Sequence, residues 1–93
     1  MNQDQYKQVV WDYNLKLKDF QQILAGKKKM GWLNQEWAIG RVLENLNYYE
    51  ARKLISLKQL AQYWPKVKKR IYNKTIKKGY EFVLHQYTLS TAR

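Results

Sequence analysis

Residues 34–64 read NQEWAIGRVLENLNYYEARKLISLKQLAQYW, and three short polar side chains divide the stretch into helices. Asn34 stands where an N-cap belongs, ahead of Trp37, Val42, Leu43 and Leu46 at helical spacing. Asn47 restarts the pattern with Glu50 three residues on, the arrangement of a capping box, and Ala51, Leu54 and Ile55 form the inner face of that segment. Ser56 begins a third segment whose Leu57, Leu60, Ala61 and Trp64 recur at i, i+3, i+4 and i+7. Gly40, inside the first segment, costs up to ~1 kcal/mol against alanine, which is tolerable if another part of the chain approaches closely there.

The same reading extends to both sides. Leu17, Phe20, Ile23 and Leu24 make an amphipathic helix stopped by Gly26, and an exposed loop, GKKKMGW, follows at 26–32. Residues 6–13 fit either a first helical turn or a short extended arm, and a helix is the expectation. Beyond Trp64, Pro65 ends one helix or begins the next. Val67 and Ile71 then share a face, and Asn73 can cap a last helix with Ile76, Tyr80, Val83 and Tyr87 inward. Residues 88–93, TLSTAR, read as a frayed tail. The expectation is an all-α fold: one compact domain over 1–93, built from five or six short helices.

Composition supports that size. A chain of 93 residues has room for one core, and its 45% hydrophobic and 15% aromatic content supplies the material. With one histidine, His85, no cysteine and scattered carboxylates, neither a catalytic triad nor a metal site can be assembled from sequence spacing. No cofactor motif is present, since GKKKMG lacks the spacing of a phosphate loop. The chain is therefore expected to be no enzyme. With no secretory leader and no apolar run of about 20 residues, a soluble cytoplasmic protein with no membrane partner is expected.

Charge gives the strongest functional signal. Residues 1–50 carry seven Lys and Arg against six Asp and Glu, whereas residues 51–93 carry eleven against one, so +10 of the net +11 lies in the second half. Its centre is PKVKKRIYNKTIKKG at 65–79, in which no acid interrupts the cations. Such a segment suits DNA, RNA or an acidic protein surface. The candidate nucleic-acid contacts are Lys66, Lys68, Lys69, Arg70, Lys74, Lys77 and Lys78. Tyr72 can stack or donate beside Arg70, and Lys27, Lys28 and Lys29 form a second contact if the fold brings their loop alongside. The competing reading is the ordinary solvated face of two helices. A helix-turn-helix in LKQLAQYWPKVKKRI is an imperfect match, with proline where the turn expects glycine. Trp37 and Trp64 fall on inner faces, whereas Trp11, Tyr13 and Trp32 lie near element ends and can anchor a protein partner.

The blocks VVWDYNL (9–15), WAIGRVLENLNYYEARKLISLKQL (37–60) and KKGYEFVLHQY (77–87) resemble a family of uncharacterised small prokaryotic proteins often encoded beside AbiEii-type nucleotidyltransferase toxins. The resemblance implies a toxin–antitoxin or phage-defence setting, with the chain as antitoxin or accessory partner, but carries no functional residues. The lysine-rich stretch from 66 to 78 departs from that family's pattern. Two expectations follow: a nucleic-acid binder, or an inhibitor that docks on an acidic, nucleic-acid-like groove of a partner enzyme such as the toxin. A small basic ribonuclease is disfavoured by the single histidine.

Overall fold

A computed structural model describes residues 1–12 and 15–91. Among these, six α-helices and no strand occur: α1 (Gln3–Val9), α2 (Leu17–Leu24), α3 (Gln35–Asn45), α4 (Tyr48–Leu54), α5 (Leu57–Val67) and α6 (Lys74–Thr91), with a 3-10 turn at Lys68–Arg70 between the last two. The fold is all-α.

Short polar residues set the starts of five helices. Asn34 accepts from the Trp37 N–H at 3.0 Å, Asn47 from Glu50 at 2.9 Å and Ser56 from Gln59 at 3.1 Å. Asn73 accepts from both Thr75 and Ile76, at 3.0 and 3.1 Å. The reciprocal capping box lies at α1, where Asn2 and Gln5 each accept the other's backbone N–H. At Asn47 only the forward bond forms; the Glu50 carboxylate instead accepts from Gln5 Nε2 at 2.8 Å and ties α4 to α1. Each cap contributes ~1 kcal/mol and fixes where a helix begins. Gly26 closes α2 with a φ of +77°, a conformation suited to glycine.

Helix α3 is the hub. It packs against α1, α2, α4, α5 and the 3-10 turn, and Trp37, Ala38, Ile39, Gly40, Val42 and Leu43 are all buried, which leaves little of its surface to water. Phe20 meets it edge-on, 5.8 Å from the Trp37 ring, and Tyr6 closes on the other side of Phe20 at 6.2 Å. Ile23, Ile55, Leu60 and Val67 complete the centre.

Two boundaries differ from the sequence reading. Pro65 neither ends nor starts a helix: α5 runs through it to Val67. In the last turn the ring removes one backbone bond, and complete burial of Val67 holds the chain in place. The turn that a helix-turn-helix would need near Pro65 is therefore absent. The last helix also runs beyond Tyr87, since α6 continues to Thr91. No glycine or proline follows Gly79 to stop it, and Leu84 is buried in the core. Leu84 joins Tyr80 as the buried pair of α6, while Ile76, Val83 and Tyr87 are half-exposed.

Gly40 shows why α3 tolerates a glycine. A Cβ there would lie 3.1 Å from the Cβ of Arg70, so the 3-10 turn rests directly on the α3 backbone. Gly40→Leu should push the turn away and cost ~1–3 kcal/mol, read as a lower urea midpoint with an unchanged slope. An unaltered midpoint would contradict this packing.

Candidate nucleic-acid interface

The basic run is seated on one stripe of α3. Glu36, Gly40 and Glu44 are spaced i, i+4, i+8 and so share a helix face. Glu36 faces Lys66 at 3.7 Å, Gly40 receives the stem of Arg70, and Glu44 Oε1 accepts the Tyr72 N–H at 3.3 Å. Buried Val67 and Ile71 pin the segment from beneath, which leaves Lys66, Lys68, Lys69, Arg70 and Tyr72 exposed. Glu36 and Glu44, acids of the first half, thus lie against the cationic run of the second.

Two depressions adjoin on this face. A shelf is formed by Lys66, Lys69, Arg70 and Tyr72 over Glu36. Beside it lies a cleft of about 330 Å³ lined by four aromatic residues, Trp11, Trp32, Trp37 and Tyr72, and by Arg41, Glu44, Asn45 and Arg70. Arg70 and Tyr72 belong to both. The rings project outward: Trp11 is 73%, Trp32 59% and Tyr72 89% exposed.

Each wall has a local cause. Trp32 stands in a tight turn closed by mutual backbone bonds between Met30 and Leu33, at 3.1 and 3.0 Å, with Gly31 at a φ of +61°. Its ring rests edge-on against Trp37, centroids 6.2 Å apart. Trp11 follows the end of α1, and Arg41 fixes that segment: its Nε donates to the Val9 carbonyl at 2.7 Å and its guanidinium pairs with Asp12. Asn45 Nδ2 in turn donates to the Arg41 carbonyl at 2.8 Å.

The structure thus joins two sets of residues that the sequence had kept apart. Lys66, Lys69, Arg70 and Tyr72 share one face with Trp11 and Trp32. Lys68 is exposed on the 3-10 turn but lines neither depression; Lys74 and Lys78 are exposed four residues apart on α6, and Lys77 is half-buried. Of the loop lysines, Lys28 donates to Asp19 at 2.7 Å, a hydrogen bond that holds the Asp19 carboxyl below the usual carboxylate range. Lys27 and Lys29 are exposed, and it is Trp32 that carries this loop into the cleft. Tyr13 lies outside the described residues. Sequence reasoning missed Arg41, Glu44 and Asn45 as site residues and placed Trp37 in the core alone; the stripe at 36, 40 and 44 was the available signal.

A larger depression lies elsewhere. A groove of about 570 Å³ between α6 and the α3–α4 corner is walled by Leu43, Leu46, Ile76 and Val83, with Tyr48 and Tyr80. Apart from Asn47 and the two tyrosines its lining is apolar, and the Tyr80 hydroxyl is buried without a hydrogen-bond partner, so that burial pushes its pKa up. His85 is exposed on α6. Among the described residues no three His, Cys, Asp or Glu side chains cluster as a metal site would require, and no helix is long and apolar enough to cross a membrane. No family model, curated protein or solved structure matches this chain.

Proposed function

We propose that the chain acts in the cytoplasm by binding nucleic acid, without catalysis, through the face seated on α3. One observation carries this reading: Glu36, Gly40 and Glu44 hold the basic run so that Lys66, Lys69 and Arg70 adjoin a cleft walled by exposed aromatic rings. Cations that neutralise phosphates and rings that accept bases are the two ingredients of sequence-tolerant nucleic-acid binding. Lys68, Lys74 and Lys78 are exposed and add positive charge outside the shelf, and Arg41 acts as a positioning residue through Val9 and Asp12.

The test is fluorescence anisotropy with a 12-nucleotide single strand, a 12-base-pair DNA duplex and an RNA hairpin. Binding to at least one should be measurable at ~50 mM salt and weaken linearly in log–log form as salt rises. If none binds at ~50 mM, the proposal is wrong.

The exposure of Trp11 and Trp32 favours one second reading, an inhibitor that presents the same face to an acidic groove on an enzyme. Such a complex should persist at salt concentrations that abolish phosphate binding. A toxin–antitoxin or phage-defence setting, with a nucleotidyltransferase toxin as partner, rests on the sequence resemblance alone.

A further inference from the structure

We infer that the cleft between Trp11, Trp32 and Tyr72 is a seat for one unpaired base, so that single strands rather than duplexes are the ligand class. This rests on the nucleic-acid reading and adds to it a statement about which part of the ligand goes where.

Charge is divided unequally between the two depressions. On the shelf, Lys66, Lys69 and Arg70 face the single acid Glu36. In the cleft, Arg41 already pairs with Asp12, and Glu44 opposes Arg70. The shelf is the place for a phosphate; the cleft, nearly balanced and walled by rings, is not. A neutral, flat, aromatic group suits it better, and a nucleobase is that group within a nucleic acid.

Size and chemistry agree. About 330 Å³ lies at the small end of ligand sites, which run from ~300 to 1,000 Å³. The indoles and the phenol offer stacking faces, while the Glu44 carboxylate and Asn45 amide are of the type that hydrogen-bonds base edges. Arg70 and Tyr72 border both depressions, so a strand laid over them places a base in the cleft and its phosphate on the shelf. A base in a duplex can enter only after unstacking and unpairing, which costs a few kcal/mol in general.

The experiment follows tryptophan fluorescence and anisotropy with (dT)12, (rU)12 and a 12-base-pair duplex at one salt concentration. Single strands should quench the fluorescence and bind at least about tenfold more tightly than the duplex. Trp32→Ala, a change at an exposed turn, should weaken single-strand binding about 5- to 150-fold while leaving any duplex binding unchanged. Tyr72→Ala should act in the same direction, and both variants should keep the wild-type circular dichroism. Equal affinity for strands and duplex, or equal losses for both on removing either ring, overturns the base seat and leaves the nucleic-acid reading standing. Absence of binding to all three probes overturns both.

Discussion

Phe20→Ala should remove ~3–5 kcal/mol of stability, the range for truncating a fully buried aromatic side chain. Phe20 has no exposed surface and sits between Tyr6 of α1 and Trp37 of α3, so its ring joins three helices. At ~0.05–0.15 kcal/mol per residue, a chain of this length has a total of only about 5–14 kcal/mol to lose. The melting temperature should therefore fall by at least ~12 °C, given about 4–8 °C per kcal/mol at this size. The consequence extends to the site, because Trp37 is at once the partner of Phe20 in the core and a wall of the cleft. A variant that kept its melting temperature would contradict the placement of Phe20 at the junction of α1, α2 and α3.

The second large effect is electrostatic. Replacing Lys66, Lys69 and Arg70 together by glutamine should weaken single-strand binding more than about tenfold at low salt. It should also flatten the log–log salt dependence by about 2, since each lost phosphate contact on a single strand removes about 0.7 from the slope. Loss of Lys66 has an added cost, because Glu36 is left facing the ligand without its partner at 3.7 Å. The control removes the same charge elsewhere: Lys7, Lys16 and Lys18 are exposed on or beside α1 and α2 and line neither depression. If that triple variant loses as much affinity and slope as the first, the chain binds through net charge and the shelf has no special role.

Local chemistry made much of the fold legible in the sequence. Asn34, Asn47, Ser56 and Asn73 begin helices because a short side chain can reach the free N–H groups of the first turn, a choice made within a few residues. Gly26 stops α2 for a similarly local reason. Pro65 misled because its rule is also local, whereas burial of Val67 against the rest of the protein decides the outcome. The same holds for residues 88–91, where α6 continues past its buried anchor at Leu84.

The site was legible only in pieces. The basic run is visible as composition, and the exposure of Trp11 and Trp32 follows from their places near element ends. Their union with Arg70 and Tyr72 depends on contacts across most of the chain: Arg41 to Val9 and Asp12, Trp32 to Trp37, Arg70 to Gly40. Spacing along one segment does not encode such contacts. Gly40 is the exception, since a glycine within a helical pattern, flanked four residues away on each side by glutamate, marks the stripe on which the cations lie.

Whether nucleic acid is held on the α3-seated face is decided by a ¹⁵N-resolved NMR titration with (dT)12. The largest shifts should fall at the amides of 40–45 and 66–72 and at the indole N–H signals of Trp11 and Trp32. Shifts concentrated at Tyr48, Gly79 and Val83 in the apolar groove, or at Lys27–Lys29, with the cleft signals unmoved, would contradict that placement.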